Sequence, residues 1–184
     1  KNLPKLEKVA LKFDKCRDPG GHQLAQLKNL RHLVLEGSGI TDQWCEGLGK
    51  LTGLEIFVLS DTGVTSDGLA RLANWQQLKQ VTLCFNKIDD DGFQHMASWE
   101  SLESITMYSH LVTNAKLSVL EKLPNLKWAK VDGPAITVEG LTQVLNQLPQ
   151  NKDRTSQQEP GKPKKTFLQP TTTPPRESET ENAS

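Results

Sequence analysis

Residues 27–35 read LKNLRHLVL. Stepping on by 24 residues gives LTGLEIFVL from Leu51, WQQLKQVTL from Trp75, WESLESITM from Trp99 and LPNLKWAKV from Leu123. Stepping back gives LPKLEKVAL from Leu3. Six units without insertion therefore cover residues 3–146, starting at 3, 27, 51, 75, 99 and 123. The fourth position of the unit is Leu in all six: Leu6, Leu30, Leu54, Leu78, Leu102 and Leu126. The seventh and ninth are apolar throughout, and so are two columns further on, Cys16–Ile40–Val64–Ile88–Val112–Ile136 and Leu24–Leu48–Leu72–Met96–Leu120–Val144. A fixed period of this length is the mark of a repeat architecture.

The columns predict local structure directly. Alternation at positions seven and nine puts those side chains on one face of a short strand. Apolar residues three to five apart from position fourteen onward suit one or two helical turns. Position fifteen supplies the helix starts: Thr41, Thr65, Asp89, Thr113 and Thr137 are all good N-caps. Acidic residues follow in the first turn (Asp42, Asp67, Asp90, Asp91, Glu139), where the helix dipole favours them. One such strand–turn–helix unit cannot bury its own apolar face; a stack of them can. With strands about 4.8 Å apart, six coils extend roughly 25 Å. Helices cover one face of the parallel sheet, and the other is left concave and open to solvent.

With these residues in view, the chain resembles the leucine-rich-repeat family over residues 3–146. It is most similar to the short 24-residue bacterial type, ITDxGLxxLxxLxxLxxLxL, which stands here as GITDQWCEGLGKLTGLEIFVL (39–59), GVTSDGLARLANWQQLKQVTL (63–83) and AITVEGLTQVL (135–145). It is distantly similar to the cysteine-containing repeats of F-box substrate receptors. The resemblance implies an α/β fold, a right-handed leucine-rich-repeat solenoid of six coils, each a parallel strand plus a short helix or helical turn. It implies a binding scaffold whose ligands usually lie on the concave face. It implies no activity, since fold alone does not give function.

Several columns carry further expectations. Position five alternates in sign without a break, Glu7–Arg31–Glu55–Lys79–Glu103–Lys127, as a ladder between adjacent coils would. Gly20 and Gly21 leave the first coil small, and Trp44, one coil away, is expected to fill that gap; an exposed convex anchor is the alternative. The domain is expected over 1–146. Residues 147–184 contain few apolar side chains, Leu148, Phe167, Leu168 and Ala183, and read as a disordered Pro/Thr/charged tail. A brief contact of Phe167–Leu168 with the open end of the solenoid is conceivable on composition. With no initiating Met and no polar cap before Leu3, the chain is expected to be a C-terminal fragment or a processed product.

Composition narrows the function. The 184 residues hold 22 Lys+Arg and 22 Asp+Glu, so no net charge draws the chain to nucleic acid or anionic lipid. No apolar run approaches the roughly 20 residues of a membrane span. Hydrophobic residues make up 35%, as a core one coil thick requires. Cys16 and Cys45 sit in apolar columns and read as core; three cysteines without a framework slightly favour a reducing compartment such as the cytoplasm. His22, His32, His95 and His110 have no partners at metal-ligand spacing, and Asp89, Asp90 and Asp91 fall where every other unit starts its helix. No nucleophile–base pair and no phosphate loop is present, so neither enzyme activity nor a cofactor or metal is expected. The expected function is non-enzymatic protein binding, or else the recognition arm of a larger enzyme such as a kinase or ubiquitin ligase. The expected ligand is a protein or peptide. The outward strand positions six, eight and ten nominate Val34, Ile56, Val58, Tyr108 and Trp128 as the partner-binding residues.

Overall fold

The computed structural model describes residues 5–13 and 20–148. Six strands, β1 (Lys8–Lys12), β2 (His32–Glu36), β3 (Ile56–Ser60), β4 (Gln80–Cys84), β5 (Ser104–Tyr108) and β6 (Trp128–Asp132), form one sheet in chain order. Every neighbouring pair is parallel and offset by one repeat, so that Val9, Leu33, Phe57, Val81, Ile105 and Ala129 lie side by side. The sequence columns are thus physical columns. Each strand is followed by helix: α1 (Gly21–Leu24), α2 (Asp42–Leu48), α3 (Ser66–Ala70), α4 (Asp90–His95), a 3₁₀ helix at Asn114–Lys122 in the fifth coil, and α5 (Val138–Gln147). The architecture is an α/β leucine-rich-repeat solenoid.

Its core is one line of side chains per coil. Leu30, Leu54, Leu78, Leu102 and Leu126 are all fully buried. Val9 and Leu11 at one end, and Ala129, Ile136 and Leu145 at the other, are only partly buried, because a terminal coil has one neighbour instead of two. Trp75 and Trp99 replace the first Leu of their units and are completely buried; each indole donates to a carbonyl of the preceding coil, Trp75 to Leu48 at 3.1 Å and Trp99 to Leu72 at 2.9 Å. Those carbonyls lie at or just past helix C-termini, where acceptors lack partners within the helix.

The helix starts form a second, polar ladder. Thr65, Asp89, Thr113 and Thr137 cap their own helices through the side chain. Each also bonds the residue one coil back and one position later. Asp42 accepts from the N–H and hydroxyl of Thr65 (2.8 and 2.7 Å), and Asp90 accepts likewise from Thr113 (2.8 and 2.8 Å). Ser66 donates to Asp89 at 2.6 Å, and Asn114 pairs reciprocally with Thr137 at 3.0 Å. Thr41 departs from the expected pattern: it occupies the cap position of α2 without a side-chain capping bond. The column ends at Val138, which is 65% exposed and offers no acceptor.

The expected charge ladder forms in part: Glu55 contacts both Arg31 (3.9 Å) and Lys79 (2.9 Å), and Glu103 contacts Lys127 (2.7 Å), while the Glu7–Arg31 and Lys79–Glu103 steps form no ion pair. These pairs are solvent-exposed, so each contributes little to stability. Trp44 is 3% exposed; its ring meets Phe13 at a centroid distance of 5.5 Å and lies where a Cβ on Gly20 would fall. It fills the gap left by the first coil, and the convex-anchor alternative is excluded by its burial. The boundary expected at 146 falls inside α5, which runs to Gln147, and Leu148 is buried at 2%. Leu148 therefore packs with the solenoid and does not belong to a tail. The tail expected beyond it, from residue 149, lies outside the described residues, as do Leu3 and the core place of Cys16.

Acid should loosen this fold. Hydrogen bonds from Ser66 and from the backbone of Gly92 and Asp91 hold the Asp89 carboxyl below its ordinary range, and Lys79 and Lys127 do the same for Glu55 and Glu103. A carboxyl whose pKa is lower folded than unfolded contributes stability above its unfolded pKa and loses it as pH falls through the folded value. The urea midpoint should stay level from neutral pH to about pH 5 and drop below about pH 4, where free carboxylates protonate. Asp89→Asn should flatten that drop. A midpoint unchanged down to about pH 3 would show that the ladders contribute nothing.

Candidate functional site

The open face of the sheet carries the outward side chains of β1–β6. Val34 and Val58 are register partners on β2 and β3, with Ile56 beside His32. These three half-buried side chains form one small apolar patch. Tyr108 and Trp128 do not extend it. Tyr108 pairs with Asp132 at the far end of the strands, whereas Trp128 pairs with Ser104 at the near end. The two aromatics are a strand length apart, about 13 Å at the usual rise per residue. Trp128 stands alone at the terminal coil, 40% exposed.

Tyr108 instead belongs to a cluster at the C-terminal rim of the sheet. The ring of Phe85 packs against it at a centroid distance of 4.6 Å, tilted by 43°, and the His110 imidazole meets it edge-on at 5.2 Å. Phe85 is 52% exposed and Leu111, next along the rim, 50%. The loops that hold these residues out are fastened from behind. Asn86 accepts from the Thr62 hydroxyl at 2.7 Å and donates to the Leu59 carbonyl at 2.8 Å. Ser109, itself buried, donates to the Ile88 carbonyl at 2.9 Å and accepts from the Leu111 N–H at 3.1 Å.

Phe85 has φ +56°. The same rim position holds Asp61 at φ +55° and Gly37 at φ +117°. Gly and Asp enter the left-handed region with little strain, but a bulky aromatic pays roughly 1 kcal/mol or more to be there. A strained, half-exposed ring whose backbone N–H also bonds the Tyr108 carbonyl at 3.1 Å is the kind of outlier that accompanies function. The strand-position rule missed Phe85, His110 and Leu111 because all three follow the strand. A signal was present: at position eleven the fourth coil places Phe, as the first does with Phe13, where the other four have Gly, Asp or Ser.

Burial raises the Cys84 thiol above its ordinary pKa and pushes that of Cys45 up to about 12, so both remain protonated thiols at neutral pH. Among the described residues no three His, Cys, Asp or Glu side chains converge to hold a metal ion. No described helix is long and apolar enough to cross a membrane. On the helical side, a shallow groove between Asn114–Lys122 and α5 is lined by Asn114, Glu121, Thr137 and Glu139, all of them solvent-facing or hydrogen-bonded to the next coil.

No protein-family model matches the chain, and no curated protein matches it. Solved structures do. Internalin C2 from Listeria monocytogenes superposes with a TM-score of 0.58 at 18% identity, over 78% of this chain and 59% of its own. The chain thus spans about three-fifths of that protein's length. The C-terminal domain of tropomodulin from Caenorhabditis elegans superposes with a TM-score of 0.52 at 13% identity, over 84% of this chain and 89% of its own. At these identities the likeness is one of fold.

Proposed function

We propose that this chain is a non-enzymatic protein-binding scaffold whose ligand, a protein or peptide, lies on the concave sheet face. The observation that carries the reading is the face itself: six parallel strands uncovered by helix, with side chains already ordered by their neighbours. A pre-ordered platform loses little entropy on binding. The outward positions of β3 to β5 are Ile56, Val58, Ser60, Gln80, Thr82, Cys84, Ser104, Thr106 and Tyr108, none of them charged. Such a floor does not track a phosphate backbone, which needs a line of Lys and Arg, so nucleic acid is a poor ligand. Val34, Ile56, Val58, Tyr108 and Trp128 remain the proposed contact residues, to which the rim adds Phe85 and Leu111.

The test is affinity capture with the full chain beside Ile56→Ser and Tyr108→Ala baits. A partner held by the wild type should bind each variant about 2 kcal/mol more weakly, roughly 30-fold in Kd. Both variants should melt within a few degrees of wild type, since both side chains point outward. Retention by both, with loss on the helical-face substitution Glu46→Ala, would move the site to the convex side.

A further inference from the structure

The two end strands of the sheet complement each other. Among the described residues β1 pairs only with β2 and β6 only with β5, and their outer edges carry no strand. At each junction between coils the N–H of position five donates to the position-five carbonyl of the preceding coil at 2.8 Å, from Arg31 to Glu7 at one end of the series to Lys127 to Glu103 at the other. The Lys127 carbonyl is the next acceptor in that series, and the Glu7 N–H is the donor that would precede it. We propose that the β6 edge of one copy of this chain takes the β1 edge of a second copy as a further parallel strand, in the register that the coils already use. The contact engages strand edges and leaves the outward face of the sheet open, so it does not depend on what that face binds.

Charge complementarity favours this occupant. Continuing the register sets Lys127 beside Glu7, Trp128 beside Lys8 and Asp132 beside Lys12. The first and third are opposite charges, and the second puts an ammonium against an exposed indole, a cation–π pair. Within its own chain Arg31 bonds Glu55 and the Gly53 carbonyl, not Glu7, so the Glu7 carboxylate can take Lys127 of the other copy. Lys127 and Lys12 already hold Glu103 and Glu36. Each would be shared between two carboxylates, as Glu55 is shared between Arg31 and Lys79. The half-buried Val9 and Leu11 gain cover on the side where β1 has no neighbour.

The same charges oppose symmetrical pairing. Set antiparallel in full register, two β1 edges would place Lys8 against Lys12 twice, and two β6 edges would place Lys130 against itself. Like charges directly opposite in neighbouring strands are destabilising. A head-to-tail contact is heterologous, and two copies joined this way still present one β1 and one β6 edge, so association does not stop at the dimer. The helical side adds little. Val138 stands where earlier coils hold Asp42, Ser66, Asp90 and Asn114 against the next cap, so the polar ladder does not cross the junction. A contact one strand wide is weak, with a Kd on the order of 100 μM.

Sedimentation equilibrium of the full chain from about 5 to about 500 μM tests the contact. The weight-average mass should rise with concentration and pass that of a dimer. Glu7→Lys alone and Lys127→Glu alone should each weaken association about ten-fold, because each opposes like charges at the junction. An equimolar mixture of the two variants should regain it, since every Lys end then meets a Glu end of the other chain. Circular dichroism establishes that both variants fold, and the wild-type mass is decisive without them. A wild-type chain that stays monomeric throughout, its β6 edge covered from within, would overturn the proposal. So would a mass that stops at the dimer, the mark of symmetrical pairing, or a mixture no more associated than its two components.

Discussion

Trp99→Ala should lower the unfolding free energy by about 3–5 kcal/mol, the range for removing a buried Trp. The side chain is fully enclosed, so its loss leaves a cavity that a one-coil-thick core has little material to refill. Two further losses add to the cavity. The Leu72 carbonyl forfeits its donor at 2.9 Å, and Trp75 forfeits a ring stacked on it at 6.4 Å. Trp75 in turn meets Phe57 at 4.8 Å, so the disturbance spreads across three coils. Trp99→Leu separates these contributions, because Leu is what this position holds in Leu51 and Leu123. It should recover about half of the loss, the remainder being the orphaned carbonyl, worth about 1–3 kcal/mol when buried. Urea unfolding of the three proteins decides it. Equal stability of the Ala and Leu variants would mean that cavity volume is not what Trp99 contributes.

Gly47→Ala should destabilise by about 2–3 kcal/mol, at the upper end of overpacking costs. Helix propensity argues the opposite sign: Gly to Ala inside a helix ordinarily gains up to about 1 kcal/mol. Packing wins because the added Cβ meets backbone. It would lie 2.1 Å from the Gly21 carbonyl carbon and 2.4 Å from the His22 nitrogen, atoms with no side-chain freedom to yield. Gly21 is pressed equally close, its own Cβ position falling 2.0 Å from the Trp44 carbonyl oxygen. Helices α1 and α2 thus touch main chain to main chain, and α1 has to move away. In a solenoid such damage stays with nearest neighbours. Hydrogen exchange should accordingly lose protection over Gly21–Leu24 and keep it in β4–β6. Gly63→Ala is the control, since its Cβ would make only ordinary contacts at 3.4 Å and beyond. A stabilised Gly47→Ala would mean that the close contact relaxes freely.

Much of this molecule could be read from spacing. The period of 24 fixed which residues pair across the sheet, and Leu33, Phe57, Val81 and Ile105 meet in the register that the columns imply. Cap chemistry was equally legible, because Thr and Asp before a helix satisfy N–H groups within three residues, an interaction local to the chain. The charge alternation at position five could be seen for a similar reason: stacking turns a sequence interval of 24 into a spatial neighbour.

What spacing could not supply is where a side chain goes once it leaves the regular strand. The strand rule nominated Tyr108 and Trp128 together because both point outward in adjacent coils. Positions ten and six already set them at opposite ends of their strands, but only the folded chain shows that the neighbours of Tyr108 are Phe85 and His110. Those contacts depend on a left-handed turn at Phe85 and on the Asn86 and Ser109 bonds that hold the loops. Nor could spacing foresee that the indoles of Trp75 and Trp99 reach carbonyls of the preceding coil, or that Gly47 sits against Gly21. The architecture follows from spacing alone, because periodic burial is additive and each coil repeats the same one-dimensional pattern. The rim cluster and the tightest contacts come from tertiary structure, because they arise where individual residues break that period and their partners are set by three-dimensional packing.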